Sequence, residues 1–138
     1  MKRKYLFWIS VLLVLVMAFC FVGCGEEEPV ETEIQPVVIT VKDEVASGTT
    51  LLDVMEEMQK DGKLSFRISD GMVVEINGVE NDADYDPCWM VYTSDVENSS
   101  TAWGSYEYDG QTLGSANYGA GDLLVKKGCV YVWVYQGF

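Results

Sequence analysis

Apolar residues run almost unbroken from Tyr5 to Val22, a stretch with no charged side chain and with Ser10 as its only plainly polar one. Beyond it the hydrophobic spacing shortens and alternates between two periods. Val37–Val41 is β-branched throughout, which predicts a strand. Leu51, Val54, Met55 and Met58 recur at helical spacing and leave Glu56, Glu57 and Lys60 largely on the other side. Thr50 followed by Asp53 resembles a capping box with Asp in place of the usual Glu. Asp61-Gly62 ends that helix, because glycine accepts the left-handed conformation after the last turn. Leu64, Phe66 and Ile68 alternate with Ser65 and Arg67, Asp70-Gly71 turns the chain, and Met72–Ile76 returns to Asn77-Gly78. This predicts a hairpin with one buried face.

Glu80–Pro87 reads as an acidic loop and Trp89–Tyr92 as a strand of large side chains. Ser94–Ser100 is polar, and Ala102–Tyr118 interleaves aromatic rings with Gly, Ser and Asn in the manner of a loop. Leu123–Val125 is a short apolar piece and Lys126-Lys127-Gly128 a turn. Val130–Tyr135 closes the pattern as a strand with a valine face and an aromatic face.

The first apolar run is preceded by Lys2, Arg3 and Lys4, and basic start, apolar run and small residue together match a secretory signal. Its length also approaches the roughly 17–25 residues that span a bilayer, so an uncleaved anchor is the alternative. Phe21-Val22-Gly23-Cys24 resembles the lipobox of bacterial lipoproteins, in which the cysteine receives a diacylglyceryl group and becomes the new N-terminus. Two acyl chains make a stable anchor where one is marginal. The expectation is a signal peptide over residues 1–23, a lipid on Cys24, an acidic tether over 24–36 and one domain over 37–138. Either reading leaves the rest of the chain outside the membrane, with the basic residues on the cytoplasmic side. Cys20, within the apolar run, reads as a small hydrophobe.

Charge narrows the partners. The chain carries a formal charge of −13, and all 22 acidic residues follow Cys24 while three of the nine basic ones precede it. The exported part is therefore more acidic than the whole and repels nucleic acid. The sequence contains no histidine, which removes the commonest general base and metal ligand. No convincing nucleophile–base pair stands in for it, so the expectation is binding and not catalysis. Asp82, Asp84 and Asp86 sit at alternate positions, but a calcium loop of the EF-hand type would then need Gly and a later Glu where Pro87 and Thr93 stand. No metal is expected there.

The order of elements resembles a known family. A strand, the Thr50-Leu51-Leu52 helix start, short strands ending in Ile76-Asn77-Gly78, then Trp89-Met90-Val91-Tyr92 and a Gly-led turn into an aromatic last strand are similar to the transcobalamin-like C-terminal domain of bacterial surface proteins. The resemblance covers roughly residues 37–138. It implies an α+β, β-grasp-like fold, one helix packed on a small mixed sheet. It also implies a ligand at the neighbourhood of Trp89 and Tyr92, with a corrinoid as one version. No helical barrel of the kind that holds a corrinoid in the vertebrate carriers is present.

Candidate binding residues follow from the aromatic segment. Trp103, Tyr106, Tyr108 and Tyr118 in a Gly/Ser/Asn background have the composition of adaptable recognition loops. With Trp89 and Tyr92 they form the expected ligand-binding set, and the alternative is that the rings cover a sheet face. For Tyr131, Trp133 and Tyr135 the covering role is preferred. Partners of this set are a small cofactor-like molecule, a glycan or a surface protein. A structural or adhesive module without a small ligand is the second class. Cys88 and Cys129 are the only cysteines of the domain; outside the cell they are either a disulfide or two buried thiols.

Overall fold

The computed structural model describes residues 33–138, and a compact unit spans Ile34–Phe138. The signal peptide, Cys24 and most of the tether lie outside the described residues. Strands β1 (Val37–Thr40), β2 (Phe66–Ser69), β3 (Met72–Ile76), β4 (Val79–Glu80), β5 (Cys88–Thr93), β6 (Ser99–Tyr108), β7 (Gln111–Ala116) and β8 (Val130–Gln136) accompany a single described helix, α1 (Leu51–Lys60). The strands form a five-stranded sheet in the order β1-β8-β5-β7-β6 and a three-stranded sheet in the order β2-β3-β4. The fold is α+β. Every strand pair is antiparallel, so the expected mixed sheet is corrected: each pair runs head to tail, including the first strand against the last.

Helix α1 starts where the sequence placed it. Thr50 Oγ1 accepts from the Asp53 amide at 3.2 Å and the Asp53 carboxylate accepts from the Thr50 amide at 2.8 Å. That bond from the Thr50 backbone, with a second from its hydroxyl, holds the Asp53 carboxyl below its ordinary pKa. Two more of the amides that a helix start leaves unpaired are met by a neighbouring turn: Leu51 N donates to Leu123 O at 2.8 Å and Leu52 N to Ala120 O at 2.9 Å. The apolar stripe then turns Leu51 and Met55, both fully buried, into the core.

That core lies on one face of the five-stranded sheet. It joins Ile39, Trp89, Val91, Tyr131 and Trp133 to Leu51 and Met55 of the helix, Val73 and Ile76 of the small sheet, and Ala120, Leu123 and Val125. The aromatic tips on this face brace the small sheet. Trp89 Nε1 donates to Val79 O at 2.8 Å and Tyr135 Oη to Glu80 O at 3.0 Å, while the two rings meet at 5.4 Å. Tyr131 Oη accepts from the Lys126 amide at 3.0 Å.

The opposite face is closed by a feature that the aromatic-loop expectation missed. Residues 99–116 are a long hairpin, β6 and β7, turned by Asp109 and Gly110, both at positive φ (47° and 74°). This is the type of tight turn that two-residue hairpins favour. β7 joins the sheet only through Tyr92↔Ser115 and Thr93↔Gly114, and its far half carries Leu113 over Tyr92, Val130 and Val132. A Cβ on Gly114 would sit 3.1 Å from the Ser100 backbone, so the close crossing of β6 and β7 depends on a bare α-carbon there. The register slips between Ser100 and Ser105, which bulges Thr101, Ala102 and Trp103 outward.

The link from β5 to β6 is tied by one carboxylate. Asp95 is 4% exposed and accepts from Asn98 Nδ2 at 2.7 Å, Lys126 Nζ at 3.0 Å and the Glu97 amide at 3.1 Å. Burial pushes its pKa up, but these three donors outweigh burial and hold it below the ordinary value. Its contribution to stability is therefore complete above the unfolded-state pKa near ~4 and is lost as pH falls through the lower folded value. Asp95→Asn is expected to cost about 2 kcal/mol at pH 7, and urea titrations across pH should find that gap closing below about pH 4. A gap that stays constant down to pH 3 would mean the charge contributes nothing.

Candidate functional site

A cleft of about 330 Å³ opens between β3 of the small sheet and the helix-side face of the large one. That volume falls at the lower end of the range of small-molecule sites. Four segments build it: Met72 and Val73 from β3; Asn81, Tyr85 and the Cys88–Val91 strand from the acidic loop onward; Ser115 to Ala120 at the end of β7 and beyond; and Trp133 from β8. Helix α1 contributes indirectly, since Ala120 O is fixed by the Leu52 amide.

The walls are buried and mostly apolar: Val73, Trp89, Val91, Ala120 and Trp133 are each less than a tenth exposed. The rim is different. Tyr118, Met72 and Tyr85 are 53%, 50% and 46% exposed, and they are large side chains held out at the mouth. Tyr85 takes a positive φ of 59°, an uncommon and strained conformation for an aromatic residue. The loop that imposes it is heavily tied. Tyr85 N donates to Asp82 O at 2.9 Å, Asp82 N to Pro87 O at 3.0 Å and Asp84 N to Asp82 Oδ1 at 3.2 Å; the Asp86–Pro87 peptide is cis. Asn81 anchors the loop at its start, donating to Val73 O at 3.2 Å and accepting from the Trp89 amide at 2.8 Å. Asp86 holds its end through the Phe138 amide at 3.0 Å.

One polar group in the wall is unspent. The indole N–H of Trp133 is the only buried side-chain donor or acceptor among the described residues that has no hydrogen-bond partner. Trp133 itself is 4% exposed. A donor left unpaired in the interior typically costs about 1–3 kcal/mol, and such groups call for an explanation.

The residues expected to bind ligand are divided by the structure. Trp89 and Tyr118 line this cleft. Tyr92 does not; it is 1% exposed on the opposite face, accepts from Gln136 Nε2 at 2.6 Å and meets Tyr106 at 5.8 Å. Burial, partly countered by that Gln136 bond, raises the Tyr92 pKa. Tyr106 and Tyr108 pack on the same cluster. For Tyr106 and Tyr108 the recognition-loop expectation gives way to a packing role, because β6 and β7 fold as a hairpin over that face, and the ligand contact that the resemblance implied at Tyr92 gives way to burial. Trp103 stands apart on the β6 bulge, 79% exposed. Tyr85, Met72 and Trp133 belong to the cleft but were not among the expected residues.

The disulfide expectation is corrected. Cys88 and Cys129 are free thiols. Cys88 pairs with Gln136 at one end of β8, whereas Cys129 precedes Val130 at the other. Seven residues of strand at about 3.4 Å each put them roughly 24 Å apart, far beyond the reach of a bridge. Cys88 lines the cleft; burial first, and the Asp86 charge second, push its pKa up. It is a protonated thiol at neutral pH and a poor nucleophile. Among the described residues no three Asp, Glu or Cys side chains converge in a metal-binding arrangement.

No protein family, no curated protein and no solved structure matches this chain.

Proposed function

We propose that this protein is a lipid-anchored extracytoplasmic binding protein whose cleft between the two sheets takes a small molecule. The observation that carries the ligand reading is the wall and rim of that cleft: buried Val73, Trp89, Val91, Ala120 and Trp133 beneath exposed Tyr118, Tyr85 and Met72. The ligand stacks against the rim rings and lies on the apolar wall. Binding without catalysis is supported by the absence of histidine and by the protonated state of Cys88, the one thiol in the cleft. The Phe21–Cys24 motif and the basic start support export and lipidation, with the acidic segment after Cys24 as tether. The resemblance to the transcobalamin-like domain, and with it a β-grasp relationship, is supported by one helix packed on a sheet in which first and last strands are neighbours; the antiparallel pairing of β1 and β8 is a departure from a mixed sheet. A corrinoid is far larger than 330 Å³ and could seat only an edge in the cleft, so a smaller molecule fits better.

The adhesive reading has one observation in its favour. Trp103 and Val96, 79% and 84% exposed, project from the β6 bulge and the β5–β6 link. A fragment screen read by thermal shift separates the two. Fragments that stabilise the protein are expected to lose about tenfold in affinity in Tyr118→Ala, a rim substitution with little effect on stability, and to be indifferent to Trp103→Ala. The reverse pattern would favour the bulge.

A further inference from the structure

Resting on the reading of the cleft as a binding site, we propose that its ligand is an oligopeptide, held in extended form as an added strand on the open edge of β5.

The cleft meets β5 along that edge. Its lining takes four consecutive residues, Cys88–Val91, where a sheet face would supply every second one. Met90 packs on the cluster of the opposite face and still borders the cleft. One edge of β5 is paired with β8 along its whole length, from Cys88 to Thr93. On the other edge β7 joins it only at Tyr92 and Thr93. Cys88–Val91 therefore have no strand neighbour on the cleft side. The small sheet does not fill the place, since β3 is paired with β2 and β4.

Backbone groups alternate along an antiparallel strand between its two neighbours. The Trp89 amide turns away from β8 and donates to Asn81 Oδ1 at 2.8 Å, so the Trp89 carbonyl and the Val91 amide are directed to the same side. Both residues are more than nine-tenths buried, and no strand offers them the ladder bonds that buried backbone groups require. The gap is held open. The Asn117 amide donates to Asn98 O at 2.8 Å and Ala120 O accepts from the Leu52 amide at 2.9 Å, which draws residues 117–120 off β5. An extended peptide takes the place that β7 leaves: it donates an N–H to the Trp89 carbonyl and accepts from the Val91 amide. Main-chain bonds of this kind give a peptide its affinity, and pockets for alternate side chains give selection.

The wall sets the side chains and the length. Four residues of edge at about 3.4 Å each run roughly 14 Å, room for about three or four residues of peptide. Alternate side chains of an added strand point to opposite faces, and those turned inward meet Val73, Ala120 and Trp133. No Lys, Arg, Asp or Glu lines the cleft, so a charge inside it finds no partner, at a heavy cost. The bound stretch is uncharged with an apolar residue facing inward, and the charged ends of the peptide lie beyond the rim of Tyr85 and Tyr118.

The test titrates capped tripeptides, acetyl-Ala-X-Ala-amide with X as Ala, Leu or Phe, into the ¹⁵N-labelled full chain in detergent. The Leu or Phe peptide is expected to shift the Trp133 indole resonance and to slow hydrogen exchange at the Val91 amide by about tenfold at saturation. The Tyr92 amide, on the β8 side of the strand opposite Val132, should keep its rate. The Leu peptide with its three residue nitrogens methylated, and uncapped Ala-Leu-Ala with its charged ends, should each bind about tenfold more weakly. If the methylated peptide binds as tightly as its parent, or if Trp133 shifts while Val91 exchange is unchanged, strand addition is wrong and the cleft reading stands. Equal binding of the uncapped peptide would overturn the exclusion of charge. If no peptide moves either resonance at millimolar dose, the oligopeptide class is overturned, and the fragment screen alone decides the cleft reading.

Discussion

Leu51→Ala lowers the unfolding free energy by about 3 kcal/mol, within the range for emptying a fully buried leucine site. For a domain of this size that is a fall in melting temperature on the order of 15 °C. The magnitude follows from where the residue sits. Leu51 has no exposed surface and packs with Met55, Ile39, Tyr131 and Trp133 in the main core. Its backbone amide is bonded to Leu123 O, so the turn over residues 119–123 moves with it. Leu52 and Val54, on the flank of the stripe, are half-buried, and the same truncation there costs about 1 kcal/mol. Chemical denaturation of the three variants checks the ranking. Equal losses at Leu51 and Leu52 would mean that the helix docks on a different face.

Cys24→Ala abolishes lipid labelling and processing at this site. The expectation rests on the lipobox resemblance of Phe21-Val22-Gly23-Cys24 and on acyl-chain arithmetic. Each buried methylene contributes about 0.8 kcal/mol, so two acyl chains make a stable anchor, and without the cysteine sulfur neither can be attached there. Metabolic labelling with a clickable fatty acid and the mass of the chain measure it. The variant should take up no label and keep its first 23 residues. A variant that is labelled and processed like the native chain would move the lipid to another site and leave the uncleaved-anchor reading to explain attachment.

What the sequence disclosed was whatever depended on neighbouring residues. The Thr50/Asp53 capping box, the Leu51/Met55 stripe, the Asp70-Gly71 hairpin and the last strand all rest on contacts within a few positions, and the structure has them where the pattern put them. The β6–β7 hairpin was legible too late. Tyr106 and Tyr108 alternate around Glu107 just before Asp109-Gly110, the same turn dipeptide as Asp70-Gly71, yet the density of Gly and Ser masked the strand signal. With the hairpin unseen, the half-buried rings Tyr106 and Tyr108 passed for recognition residues. The disulfide question was decided by the β5–β8 register, which no local pattern specifies. The cleft is the least local feature of all. Met72, Tyr85, Tyr118 and Trp133 come from four separated segments, and Trp133 looked like one more ring covering a sheet.

The most direct measurement of the cleft's role is the ¹⁵N spectrum of the full chain before and after addition of a small-molecule extract from the cells that make it. The account predicts that the Trp133 indole N–H shifts, that the Trp103 indole does not, and that Tyr118→Ala restores the free spectrum at the same dose. A Trp133 signal that stays fixed while Trp103 moves would contradict it and assign recognition to the β6 bulge.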